Sequence, residues 1–139
     1  MFRPLLVAHV AAPLIVRAQA ASPATPPKPE SVVRSPVNGA TVPATFPVVF
    51  GLRNYGVAPA GVNATNTGHF HVLINASVPA AGVVIPNDSL NRHFGTGVIE
   101  TRLTLAPGSY TLQLVLGDFE HKVIGPDLVS KPVKITVRK

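Results

Sequence analysis

The sequence predicts an all-β domain, an immunoglobulin-like antiparallel β-sandwich of about seven short strands. Apolar and polar residues alternate over short stretches, as side chains do on the two faces of a strand. Turn residues separate nearly all of these stretches, with 15 Pro and 11 Gly among 139 residues. Since no stretch has the longer apolar period of a helix, short strands joined by turns and packed as two sheets are the natural arrangement.

The strands can be placed along the chain by their alternation and by the turns between them. The first covers residues 32–35, and a turn follows in which Asn38-Gly39 supplies positive φ angles. Later strands are predicted at residues 46–52, 69–74, 98–105, 110–118 and 132–139. In the strand at 110–118, one side is formed by Tyr110, Leu112, Leu114 and Leu116, and in the last strand the core-facing side chains are Val133, Ile135 and Val137.

The turn "LAPGSY" lies between two of these strands and resembles the tyrosine-bearing corner of such sandwiches. In that corner the phenol hydroxyl bonds back to the backbone of the loop before it. We therefore predict this bond for Tyr110, with an ordinary core tyrosine as the alternative.

The first 20 residues have the three parts of a secretory signal peptide. Arg3 supplies the positive charge, residues 5–16 are apolar, and Ala18-Gln19-Ala20 is a small-x-small cleavage site. Cleavage after Ala20 predicts a periplasmic or secreted protein. A retained membrane anchor is the alternative, but the run is shorter than the roughly 20 apolar residues that a span needs. No other stretch is long enough, so no transmembrane span is expected after cleavage.

The predicted mature chain starts with a proline-rich segment and continues as one domain. Residues 21–31, "ASPATPPKPES", have polyproline character and few apolar side chains, which predicts a disordered tether. The sandwich domain is then predicted to cover residues 32–139. One core of ordinary size fits this length.

Composition and charge exclude several classes of function. The chain has no Cys, which excludes disulfides and thiolate metal sites. Loss of Arg3 and Arg17 with the signal peptide lowers the net charge from +6 to +4, and the remaining basic residues are scattered apart from a few at the C-terminus. That distribution argues against nucleic-acid binding. No nucleophile, phosphate-binding or dinucleotide motif is present, so we expect a non-enzymatic protein.

Two histidines lie one residue apart in the predicted strand "GHFHVLIN". Residues i and i+2 of a strand point to the same face, so His69 and His71 should project together. Phe70 and Val72 alternate with them and should face the core. The pair could supply two ligands to one metal ion, and a further ligand would have to come from elsewhere in the chain.

Two more histidines are candidates for the remaining ligands. His93 ends a long predicted loop in "NRHFGTG", and His121 follows a strand in "GDFEH". If both converge on the pair, the cluster would suit Cu or Zn, with Asp118 orienting an imidazole by a hydrogen bond. In the alternative, the same histidines form only a hydrogen-bonded polar cluster that holds loops against the sheet.

Several motifs in a fixed order resemble the bacterial periplasmic family known as domain of unknown function 4399. The family's "GHHHLLID", "HFGKGQTE", "L-PG-HTLQL" and "D-xx-H" are similar to "GHFHVLIN", "HFGTGVIE", "LAPGSYTLQL" and "DFEH" here, over residues 53–138. Phe70, Asn75 and Tyr110 replace a His, an Asp and a His of the pattern. The resemblance implies a secreted sandwich with a histidine-rich face, and it implies no known activity. The residues that it retains are His69, His71, His93, Glu100, Asp118 and His121.

The last strands are also similar, more loosely, to the end of the CopC-type periplasmic copper carriers. There an Asp-x-His pair helps to hold Cu²⁺, whereas the spacing here is Asp118-x-x-His121. The sequence as a whole thus predicts a binding module that holds a divalent metal ion. The alternative is a structural or cell-envelope interaction domain with an envelope protein as its partner.

Overall fold

The computed structural model describes residues 25–139, so the predicted signal peptide and the first residues of the tether lie outside the described residues. Nine strands and a single 3₁₀ turn at Pro126–Leu128 form the described part. The strands are β1 (Glu30–Ser35), β2 (Ala40–Val42), β3 (Thr45–Arg53), β4 (Gly56–Val57), β5 (Thr67–Ile74), β6 (Asn91–Phe94), β7 (Glu100–Thr104), β8 (Gly108–Gly117) and β9 (Val133–Val137).

Two sheets pack against each other, which confirms the predicted all-β sandwich. The smaller sheet has the order β1-β3-β7, and the larger one runs β2-β9-β8-β5-β4, with β6 also paired to β5. Most pairings are antiparallel, but two short edge strands differ from the prediction, since β2 pairs with β9 and β4 with β5 in parallel. The described residues contain no helix that is long and apolar enough to cross a membrane.

The core lies between the two sheets and follows the predicted alternation. Phe46, Val48 and Phe50 of β3 face Phe70 and the leucines of β8, and all are buried. The rings of Phe50 and Phe70 are 4.9 Å apart between centroids, tilted as aromatic pairs prefer. The strand that carries the histidine pair is therefore fixed from behind by the main core.

The outer face of the larger sheet is also covered. Leu73 of β5 and Val115 of β8 pack there against Ile85 and Val123, which come from the loops before β6 and after β8. Backbone bonds fix the two loops to each other, since the amide of Ile85 donates to the carbonyl of His121 (2.8 Å). Side chains on this face of β5 are therefore enclosed between the sheet and two loops.

The boundaries of the domain and of its strands differ from the sequence prediction in a few places. β1 begins at Glu30, within the segment predicted as tether, and Ser31 is buried. Residues 25–29 form no strand or helix. β2, β4 and β6 are not predicted, because strands of two to four residues are too short to show alternation.

Tyr110 makes the bond predicted for the corner before β8. Its hydroxyl donates to the backbone carbonyl of Ala106, four residues earlier, at 2.9 Å. The ring packs against the edge of the main core.

Candidate metal centre

His69 and His71 lie side by side on the outer face of β5, opposite Phe70 and Val72 as predicted. Both histidines are 0 % exposed, because the sheet lies beneath them and the two covering loops lie above. Their Nε2 atoms are 3.1 Å apart. A fully buried pair of histidines is uncommon, because buried polar groups normally need hydrogen-bond partners or another interaction that compensates for the loss of water.

His93 reaches the pair through strand pairing and not from a loop. The prediction that it ends a long loop is wrong, since it lies in β6, whose register against β5 places it directly opposite His71. Directly paired residues of neighbouring strands have their side chains on the same face. The backbone of the larger sheet therefore positions three of the imidazoles.

His121 approaches from the turn that follows β8. It adopts a positive φ of 66°, a conformation that a non-glycine residue takes mainly in turns. The Asp118 carboxylate holds this turn, because its Oδ1 accepts from the backbone amides of Glu120 and Lys122 at 2.9 Å each. The amide of His121 also donates to the carbonyl of Asp118 at 3.0 Å.

The four predicted histidines therefore meet in one place, which we call the four-histidine cluster (His69, His71, His93 and His121). The six distances between their ring centroids range from 4.8 to 6.0 Å. Nitrogen atoms of the first three lie within 4.8 Å of one another. While His69 and His71 are enclosed, the other two rings are partly exposed, so solvent reaches the cluster from their side.

Hydrogen bonding within the cluster is incomplete. Among residues 25–139, the one side-chain hydrogen bond that its imidazoles make is the 3.1 Å contact between the two Nε2 atoms. The buried Nδ1 atoms of His69 and His71 and the buried Nε2 of His93 have no partner there. In the neutral pair one Nε2 must donate and the other accept, so the accepting ring carries an N–H at its unpartnered Nδ1. Leaving such a donor buried costs about 1–3 kcal/mol.

Burial keeps His69 and His71 neutral well below the ordinary titration range of histidine. Burial, together with repulsion from His93 and His121, lowers the pKa of His69 from 6.5 to about 4. Burial, together with repulsion from the three other imidazoles, lowers the pKa of His71 to about 3. Burial also lowers the pKa of His93. Neutral imidazole is the form that coordinates a metal ion, so protons compete weakly for this site at neutral pH.

The separation of the two buried Nε2 atoms fits one shared transition-metal ion. With metal–nitrogen bonds of about 2.0–2.1 Å, two ligands lie about 3.3 Å apart at a tetrahedral ion and about 2.9 Å apart at a square-planar one. The observed 3.1 Å falls between these two values. Imidazole ligands without sulfur also match the preferences of Zn²⁺ and Cu²⁺.

Asp118 and Asn75 have roles different from those predicted for them or suggested by the family pattern. The Asp118 carboxylate makes its hydrogen bonds to backbone amides of its own turn, and none of its hydrogen bonds within residues 25–139 goes to an imidazole. It positions His121 through the backbone instead. Its charge still favours protonation of His69, against the effect of burial.

Asn75 lies beyond the far end of β5, where its Oδ1 accepts from the amide of Thr111 (2.7 Å). The Asp that the family pattern has at this position would therefore not lie in the cluster, and its replacement by Asn costs the cluster no ligand.

Two glycines leave room for the imidazoles, and sequence reasoning missed both. A Cβ at Gly95 would lie 2.5 Å from Nε2 of His93, and one at Gly117 would lie 3.0 Å from Nε2 of His71. Gly117 is paired with His69 across β5 and β8. The motif "HFG" could have indicated the first position, because a glycine next to a functional side chain often marks a close approach.

Comparison with known proteins supports the resemblance to one family. A family model described as a domain of unknown function (DUF4399) matches residues 48–138. Searches of curated proteins and of solved structures find no significant match. The looser similarity to the copper carriers is therefore not confirmed.

Proposed function

Because the chain belongs to the DUF4399 family, whose description names no activity, we propose a function from the site itself: a secreted or periplasmic, non-enzymatic module that binds a divalent transition metal ion. The ion, Zn²⁺ or Cu²⁺, is held by His69, His71 and His93, with His121 beside it. The observation that carries the proposal is the convergence of these imidazoles around unpartnered buried nitrogens.

The hydrogen bonds of the cluster favour metal binding over a purely structural role. Histidines that only organise loops would bond to the loop backbone, but in residues 25–139 the imidazoles bond only within the pair. Apolar contacts and backbone bonds hold the covering loops instead. A metal ion offers the buried rings an interaction that the protein alone does not give them.

The non-enzymatic part of the proposal rests on what surrounds the cluster. Two of the four rings are fully enclosed, and the Asp118 carboxylate is engaged by backbone amides of its turn. Hydrolysis at a metal ion needs a general base beside the metal-bound water, and the hydrogen bonds of Asp118 go to backbone amides of its own turn. The periplasmic or secreted location rests on the sequence of residues 1–20, which has the three parts of a signal peptide.

Calorimetric titration of chelator-treated protein with Zn²⁺ and with Cu²⁺ tests the proposal. We expect one ion to bind per chain, and His71→Ala and His93→Ala to weaken binding by at least about 100-fold, since even supporting residues of metal sites cost 10–100-fold. Glu100→Gln is the control, because it removes an exposed carboxylate in β7 of the smaller sheet, away from the cluster, and should bind as the parent does.

The alternative, a structural or cell-envelope interaction domain, predicts the opposite pattern. In that case neither metal binds to the parent protein, and the two histidine variants lower the free energy of unfolding equally with and without metal. Equal affinities for the parent and both variants would also exclude the proposed site.

A further inference from the structure

The distances between the four imidazole rings indicate which coordination geometry the cluster can offer to a metal ion. Five of the six centroid distances in the four-histidine cluster lie between 4.8 and 5.0 Å, and only that between His71 and His121 is longer, at 6.0 Å. Four points separated by six nearly equal distances form a tetrahedron. The rings therefore surround a common centre in three dimensions and do not lie in one plane.

Tetrahedral and square-planar metal ions give different sets of distances between the centroids of their imidazole ligands. An imidazole centroid lies about 3.2 Å from a metal ion that its nitrogen binds at about 2.05 Å. Six centroid distances of about 5.2 Å then result for a tetrahedral ion, against four of about 4.5 Å and two of about 6.4 Å for a square-planar one.

The observed set matches the tetrahedral pattern. In a square-planar arrangement the two long distances join opposite corners, so each ring takes part in one of them. If the 6.0 Å between His71 and His121 were one diagonal, the distance between His69 and His93 would be the other and equally long. That distance is 5.0 Å.

We propose, as an extension that rests on the proposed function, that His121 is the fourth ligand of a tetrahedral four-imidazole site, built for Zn²⁺ and not for square-planar Cu²⁺. His69, His71 and His93 stand on two hydrogen-bonded strands and form a rigid three-membered base. His121 closes the fourth corner from its turn. The nitrogens that lie within 4.8 Å of one another belong to the other three histidines, so binding by His121 requires its ring to turn a nitrogen towards the centre.

Four protein ligands leave no position for water. A closed site of this kind is typical of structural zinc, whereas catalytic zinc keeps one open position. The turn that carries His121 is held by Asp118, whose Oδ1 accepts hydrogen bonds from the backbone amides on either side of His121. This fixed backbone makes a fourth protein ligand possible.

Substitution with Co²⁺, which reports coordination number through its visible spectrum, tests this inference on the full mature chain. Protein loaded with Co²⁺ should show the intense visible bands of a tetrahedral ion, and added azide should leave them unchanged because no position is open. His121→Ala should bind Co²⁺ at least tenfold more weakly and should become sensitive to azide, because an exogenous ligand takes the vacated corner.

Other results would refute the tetrahedral geometry, the role of His121 or metal binding itself. Weak bands in the parent protein indicate five or six ligands and refute the tetrahedral site, and an azide-sensitive parent spectrum refutes His121 as the fourth ligand. Both results leave metal binding intact. Failure of the parent chain to bind Co²⁺, Zn²⁺ or Cu²⁺ would refute the proposed function itself.

Discussion

Acidification of the metal-free protein should destabilise it strongly, because its two fully enclosed histidines resist protonation. The pKa of His69 is lowered to about 4 and that of His71 to about 3, whereas both have the ordinary value of 6.5 in the unfolded chain. A lowered histidine pKa means that the unfolded state binds protons first as the pH falls. Stability is therefore complete above about pH 6.5 and is lost as the pH falls towards the folded values.

The size of the effect at about pH 5 follows from the unfolded pKa. Each histidine takes up nearly one proton on unfolding at that pH, and about 1.4 kcal/mol is lost per pH unit for each proton. About 1.5 units below the unfolded pKa, this amounts to about 2 kcal/mol per histidine and about 4 kcal/mol for the pair. Both folded pKa values lie below 5, so the result hardly depends on them. A typical domain has only about 5–15 kcal/mol in total.

Urea unfolding in the presence of a chelator, at about pH 7.5 and about pH 5, measures this difference. Far-ultraviolet circular dichroism is the suitable probe because the chain has no Trp. The double variant His69→Gln/His71→Gln is the control, since it keeps polar side chains of similar size but cannot titrate, and most of its pH dependence should be gone. An unfolding free energy that is unchanged or higher at about pH 5 in the parent protein would refute the reasoning.

Four further outcomes are expected. Gly95→Ala should displace the ring of His93 and weaken metal binding at least tenfold in calorimetry. Gly125→Ala is the control, since a Cβ there meets nothing within 4 Å, and it should bind as the parent does. Equal affinities for Gly95→Ala and the parent would show that the close approach of Gly95 to His93 is unimportant. Tyr110→Phe should lower the free energy of unfolding in urea by about 0.5–1.5 kcal/mol, the usual worth of one hydrogen bond, without changing metal affinity. Zn²⁺ at about 100 times its dissociation constant should raise that free energy by about 2.7 kcal/mol at neutral pH, and no change would exclude binding to the folded state. Intact mass of exported material should correspond to a chain that begins at Ala21, and a longer chain would show that the leader is retained.

Local patterns in the sequence were sufficient for the fold class and for most of the long strands. β3, β5, β8 and β9 lie where alternation predicts them, because a strand with one buried face must repeat its apolar residues every second position. The same period predicts the shared face of His69 and His71. Tyr110 was also predictable, since its partner lies four residues away in the same turn.

The short strands could not be predicted in this way. β6 has only four residues, and its status as a strand depends on pairing with β5, some twenty residues earlier in the chain. The sequence suggests His93 as a partner of the pair but gives a wrong reason, a loop folding back. Likewise, the sequence places Asp118 three residues before His121, and only the structure shows that its carboxylate bonds to backbone amides of its own turn.

Residue types and near neighbours along the chain are enough to specify the sandwich, the paired histidines on one face of a strand, and the absence of thiolate ligands. Three features depend instead on the folded chain: the burial of that face under two loops, the tetrahedral placement of four rings, and the close approach of two glycines to those rings. Those features are distances between residues far apart in the chain, and strand register and loop packing set them. Residue order alone does not specify either.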